Sequence, residues 1–172
     1  MNVTRAALLE RAESFRAELT ARAPEFERAR RLPPDMAAKF AEAGFMAMLV
    51  PQAYGGLETD PLTFLDVVET LAEADGSAAW CVFIGATSGV TAAYLPDVTA
   101  REIYRPGTIT GGVFAPRGKA LDRGDGTYDV SGRWQWGSGT QNAHWVMGGC
   151  MVLKDGKPDM LQRQPPNCAH VL

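Results

Sequence analysis

The groups best suited to chemistry in this chain are two indoles and a hydroxyl, Trp134, Trp136 and Ser138, in the run Gly132-Arg133-Trp134-Gln135-Trp136-Gly137-Ser138-Gly139. Flat aromatic surface beside a hydroxyl, with amides left bare by glycine, suits a planar hydrogen-bonding ligand such as a flavin ring. The same run also has a plainer reading. From Tyr128 to Trp136 the residues alternate, with Tyr128, Val130, Trp134 and Trp136 on one side and Asp129, Ser131, Arg133 and Gln135 on the other. That is the period of a strand with one buried face, in which the indoles pack and Gly-Ser-Gly is an ordinary turn. On pattern alone the packing reading has the stronger claim, because aromatics dominate strand cores. One indole facing a ligand and the other facing protein would require a bulge.

The remaining polar groups read as bystanders. Gln141 and Asn142 shape a loop, and His144 is a surface histidine at a strand entrance with no partner carboxylate evident. Glu58, Glu69, Glu73 and Glu102 read as solvated carboxylates. His144 and His170 sit in no metal-spaced cluster, so no metal site is expected. Cys81, Cys150 and Cys168 are odd in number and widely spaced, which suits reduced thiols in the cytoplasm.

Elements that could position these groups fall into two blocks. Thr4 can cap a helix through Leu8, Leu9, Phe15 and Leu19 that stops or kinks at Pro24. A second helix starts at Pro34 and ends at Gly44, followed by a Met- and Pro-rich loop closed by Gly55-Gly56. Asp60-Pro61 starts a helix with Leu62, Leu65, Val68 and Leu71 as its stripe. Ser77 to Tyr94 is apolar nearly all round and reads as a central buried helix, and Asp97 to Tyr104 as a short one. At Gly107 the period changes to strands, with a hairpin turn at Asp122-Arg123-Gly124-Asp125-Gly126 and a further strand from Trp145 to Leu153. This layout predicts an α+β fold: an all-α domain over 1–106, a partial middle β-domain over 107–160 and an irregular tail over 161–172. The β-domain is expected to be antiparallel and barrel-like but incomplete.

Three motifs in register carry a resemblance. The Gly132 to Gly139 run resembles the flavin-facing strand of the acyl-CoA dehydrogenase superfamily, Gly-x-Lys-x-Trp-Ile-Thr-Asn, with Trp136 in the Trp place and Ser138 in the Thr place. Upstream, Arg31-Leu32-Pro33-Pro34, Glu42-Ala43-Gly44-Phe45 and Pro51-Gln52-Ala53-Tyr54-Gly55-Gly56 are similar to its N-terminal helical domain. The resemblance implies a flavin-dependent oxidoreductase of that fold, with FAD held by Trp136, Ser138, Phe114 and Ala115. The family's catalytic base lies in a C-terminal four-helix bundle absent from this chain, so no catalytic residue is assigned.

The dehydrogenases' acidic signature, Leu-Thr-Glu-Pro-x-Ala-Gly-Ser-Asp, is altered. Pro116 and Gly118 remain, but Ala115 stands for the Glu and the Ser-Asp pair is lost. Phe114-Ala115-Pro116-Arg117-Gly118-Lys119-Ala120 is instead similar to the Tyr-Ala-Pro-x-Gly-Lys-Ala of the oxygenase branch. That branch implies a two-component monooxygenase on an aromatic or steroid-like substrate, using reduced FMN or FADH2 from a separate flavin reductase. Arg117 and Lys119 read equally as an exposed basic rim. A third reading is a truncated, non-catalytic chain, and on its own the chain is expected to be inactive; full-length relatives are expected to be homo-oligomers.

Charge and composition exclude little but do so clearly. A net charge of -3 gives no electrostatic reason to expect nucleic acid or an anionic membrane as partner. No apolar run is expected to span a bilayer, and no signal-peptide stretch follows the N-terminus. A small-molecule substrate in the cytoplasm is the expectation.

Overall fold

A computed structural model describes residues 3–159 and 168–171. Among the described residues the order of elements is α+β, six α-helices and then five strands: α1 (Arg5–Ser14), α2 (Arg16–Ala29), α3 (Pro34–Glu42), α4 (Pro61–Ala72), α5 (Gly76–Ser88), α6 (Asp97–Ile103), β1 (Thr110–Asp122), β2 (Tyr128–Ser131), β3 (Trp145–Lys154), β4 (Lys157–Pro158) and β5 (Cys168–Val171). Contacts divide the chain into a helical unit, Met1–Gly111 with Ser138–Trp145, and a sheet unit, Gly112–Gly137 with Val146–Leu172. The change expected at Pro106/Gly107 therefore comes at Gly111, and Ser138–Trp145 returns to the helical unit.

In the helical unit the caps are the ones the sequence announces. Thr4 accepts the Ala7 N–H at 3.2 Å, and Asp60 accepts those of Leu62 and Thr63 at 3.1 and 3.0 Å. Each satisfies donors that a helix start leaves open. Pro24 does not end its helix: α2 runs through it. Pro24 and Thr20, whose carbonyl loses its partner, are not buried, so water can take the vacant bond.

The core forms where α1, α4 and α5 pack, with Leu8, Leu19, Met36, Phe40, Phe45, Val67, Leu71 and Val82 buried. The stripe expected on α4 is corrected: Thr63, Phe64, Val67 and Leu71 face inward, while Leu62 and Leu65 are exposed. α4 is apolar on more than one side, and packing selected the face that includes Phe64. Likewise α5 is not buried all round. Trp80 is half exposed, and Val90 and Tyr94 in the following 3₁₀ turn are also open. Contrary to expectation, Gly76–Tyr94 is long and apolar enough to cross a membrane by length and composition, and 44% of its most apolar window is buried within the protein.

The loop after α3 folds on its glycines. Leu57, Glu58 and Thr59 donate N–H groups to the carbonyls of Ala47, Val50 and Met48. A side chain at Gly56 would strike the Val50 carbonyl, and Gly55 has φ 83.

In the sheet unit the order is β2-β1-β3-β4, with β5 also on β3. The β1–β2, β3–β4 and β3–β5 pairs are antiparallel. β1 and β3 advance together, Gly112 lying against Met147 and Gly149 against Phe114 and Ala115, so the sheet is mixed. The tail expected to be irregular over 161–172 lies largely outside the described residues, but within it Cys168–Val171 is a strand.

Candidate functional site

The strand expected from Tyr128 to Trp136 stops at Ser131, and its four residues are all exposed, so it has no buried face. The reason lies in Trp134. Its ring sits where side chains on three glycines would be. A Cβ on Gly118 would come within 2.3 Å of it, and one on Gly148 within 2.6 Å. Gly132 is filled in the same way. The indole Nε1–H donates to the Gly149 carbonyl at 2.7 Å. A ring that crosses the sheet to reach Gly149 pulls its own segment out of the ladder.

Trp136, two residues on, has the opposite fate. It is 90% exposed and its backbone is left-handed, with φ 64. A bulky residue in that region is strained, and the cost is of the kind found where a side chain is displayed for use. One indole thus anchors and the other projects, and irregular backbone after Ser131 replaces the bulge that alternation demanded.

Of the other residues proposed for a cofactor, Phe114 (45% exposed) and Ala115 lie on the accessible stretch of β1 in the sheet unit. Their carbonyls pack against Gly149. Ser138 is half-buried and belongs to the helical unit. It opens a turn in which Gly139 has φ 73 and lies 3.9 Å, as measured to an added Cβ, from the Cys81 carbonyl oxygen of α5.

The residues after Ser138 are held by bonds that no local pattern announces. Asn142 Nδ2 donates to the Leu32 carbonyl at 2.8 Å, a loop-shaping use. His144 clamps the entrance to β1: its N–H donates to the Ile109 carbonyl at 2.8 Å, and its Nδ1 accepts the Ile109 N–H at 3.0 Å. An accepting Nδ1 puts the ring proton on Nε2. Ile109, Asn142 and His144, with Pro34, Ala38, Ala41 and Glu42, line an open depression of about 500 Å3 in the helical unit that includes none of the four candidate cofactor residues.

Burial, aided by the Asp75 charge, raises the pKa of the Cys81 thiol, so it is no ready nucleophile. Burial also raises the Tyr104 phenol, which lies 2.6 Å from Thr91 Oγ1 and donates to the Ser88 carbonyl at 2.9 Å. Glu58 accepts the Gln52 N–H and Glu73 pairs with Arg16, both in structural use, while Glu69 and Glu102 are not buried.

Residues 4–105 match the acyl-CoA dehydrogenase N-terminal domain family. The flavin-dependent monooxygenase oxygenase subunit HsaA of Mycobacterium tuberculosis is 34% identical over 143 residues, 82% of this chain and 36% of that protein. Its crystal structure superposes with a TM-score of 0.85, covering 91% of this chain and 43% of that one at 32% identity. Indole-3-acetate monooxygenase of Pseudomonas putida is 37% identical over 143 residues, 81% of this chain and 36% of that protein. XiaF from a Streptomyces species, solved with FADH2 and glycerol, superposes at 0.82 with 30% identity, over 90% of this chain and 39% of that one. The chain thus spans about two fifths of the relatives it matches.

Proposed function

Since this chain belongs to the acyl-CoA dehydrogenase superfamily, we propose that it carries the N-terminal part of a two-component monooxygenase that oxidises an aromatic substrate with molecular oxygen, reduced flavin supplying the electrons. The dehydrogenase reading gives way to the oxygenase alternative. Support comes from the names of the similar proteins, an oxygenase subunit and an indole-3-acetate monooxygenase, and from Ala115 in place of the acidic signature's carboxylate. The word subunit supports a separate reductase as partner, and FADH2 in XiaF supports reduced flavin as the cofactor. A cytoplasmic, homo-oligomeric enzyme is part of the same proposal.

The carrying observation is Trp136, a large indole held open on strained backbone. It offers one face to an isoalloxazine ring, and the residues present fit that group. Reduced flavin, when bound, supplies the electrons with which oxygen is activated. Phe114 and Ala115 would offer an accessible apolar strand surface to the same ring. Ser138 belongs to the helical unit and would be a hydroxyl donor for the flavin by resemblance alone. The residues that surround the substrate and exclude water are not assigned.

The test is anaerobic titration of the chain with FADH2, reduced FMN and oxidised FAD, following tryptophan fluorescence. Reduced flavin should quench, and Trp136→Ala should weaken its binding by about tenfold, the scale of one lost stacking contact. Quenching that is unchanged in Trp136→Ala would remove the flavin assignment.

A further inference from the structure

A second aromatic surface lies on α5, and the cofactor assignment leaves it unused. Phe64, 5% exposed, meets Phe83 at 5.3 Å between ring centroids. Phe83 in turn stacks on Trp80 at 5.2 Å with only 3° between the planes. The three rings form a ladder from the core of the helical unit to its surface, where Trp80 remains half exposed. Trp80 and Phe83 stand three residues apart on one helix face. Phe83 lies against one face of the indole, and Trp80 keeps half of its surface exposed.

The position of this ladder is informative. The residue after Trp80 is Cys81, whose carbonyl and Cα are what the Ser138–Gly139 turn rests on, at 3.9 and 4.0 Å from the added Cβ of Gly139. The Ser138 hydroxyl therefore sits in a turn packed on the same stretch of helix. Both features lie within the helical unit.

We propose that the Trp80–Phe83 stack is the platform on which the planar ring of the aromatic substrate lies. This deepens the monooxygenase reading and rests on it. A parallel pair backed by a buried third ring is already ordered, so a ligand that stacks on Trp80 need not order it first. Flatness selects the ligand. An aromatic ring meets an indole face in an offset stack, whereas an aliphatic body of equal size gains only area. The exposed Leu62 and Leu65 of α4 supply apolar surface on the same unit but no such face.

The experiment uses the 15N-labelled chain, with the Trp80 indole N–H signal assigned through Trp80→Phe, and two probes that share a carboxylate: indole-3-acetate and cyclohexylacetate. Indole-3-acetate should move the Trp80 signal in a saturable way, and cyclohexylacetate should bind about tenfold more weakly. Followed through the backbone amide signals of Cys81 and Phe83, because the variants lack the indole signal, Trp80→Ala should weaken indole-3-acetate about tenfold, and Trp80→Phe, which keeps a flat ring, should retain most of the affinity. Equal binding of the two probes, an unchanged affinity in Trp80→Ala, or no saturable shift overturns the proposal. A parallel titration with reduced flavin separates the two ideas. A chain that binds indole-3-acetate at Trp80 but ignores reduced flavin loses the flavin assignment only; one that responds to flavin while Trp80 stays unmoved loses the platform only.

Discussion

In the helical unit Phe15, Phe40 and Phe45 meet with centroids between 5.1 and 5.9 Å apart, and Phe40 and Phe45 are fully buried. In the sheet unit the aromatic side chains divide differently. Trp134 lies in a bed of three glycines, while Phe114, Tyr128 and Trp136 stand open. The first unit closes around these three rings while Trp80 and Tyr94 stay open on its surface; the second uses glycine to anchor one indole and leaves Phe114, Tyr128 and Trp136 accessible. The closed phenylalanine cluster and the displayed Trp136 thus lie in different units, and each can be damaged separately.

The largest effect should come from the closed side. Phe40→Ala removes a ring from the three-ring cluster and leaves a cavity, at about 3–5 kcal/mol. Urea unfolding followed by far-UV circular dichroism should show the midpoint fall steeply. A loss below about 1 kcal/mol would mean that the cluster is not the keystone of the unit.

Next is the glycine bed. Gly148→Ala forces a methyl to within 2.6 Å of the Trp134 ring, an overpacking that costs about 1–3 kcal/mol. The ring must shift and weaken its bond to the Gly149 carbonyl. A red-shifted Trp134 emission, with helical content unchanged, is the expected signature. Equal loss of helix signal would show that the two units do not respond separately.

Acid should strain the units unequally. In the helical unit Glu13, Glu18, Glu25 and Asp35 have carboxyls held below their ordinary values chiefly by hydrogen bonds from Arg16, Lys39, Arg22 and Arg22 respectively. The Thr63 hydroxyl does the same for Asp60. Among the described residues of the sheet unit only Asp125 is lowered, by Thr127. A folded carboxyl with lowered pKa binds fewer protons than its unfolded form, so its contribution is present above the ordinary carboxylate range near 4 and lost as pH falls through the folded value. These groups are exposed, so the effect is small and salt should reduce it. Below about pH 4 the helical amides should lose hydrogen-exchange protection before those of β1 and β3. The reverse order would contradict this assignment of the charges.

The two units also differ in how much the sequence discloses. Caps at Thr4 and Asp60 are legible because the capping residue and the N–H groups it satisfies lie within three positions. The face of α4 is not, since Leu62, Phe64, Leu65, Val67, Val68 and Leu71 allow more than one apolar stripe, and only the neighbours α1 and α5 decide between them. The stretch from Tyr128 to Trp136 misleads for a related reason. Its alternation is real, yet the strand ends at Ser131 because Trp134 reaches a carbonyl fifteen residues away, a contact no local period records. The motif kept its chemistry-bearing residues visible while hiding which indole was structural.

The smallest effect on stability belongs to Trp136, and it is the sharpest test of display against packing. A residue that is 90% exposed buries too little surface for its loss to matter much. With φ 64, an L side chain there is strained by roughly 1–2 kcal/mol, which glycine avoids at some cost in unfolded-chain entropy. Trp136→Gly should therefore be as stable as the parent or up to about 1 kcal/mol more so. Trp136→Ala, which keeps a Cβ in the left-handed region, should be the less stable of the two, the reverse of their order within a helix. Both should lose most of the response to reduced flavin, so that stability and binding move apart, as they do where a strained residue is retained for function. If Trp136→Gly destabilises the sheet unit by more than about 1 kcal/mol in thermal unfolding, the indole is packed in solution. Trp136 would then join Trp134 as an anchor, and the flavin would have to be sought elsewhere.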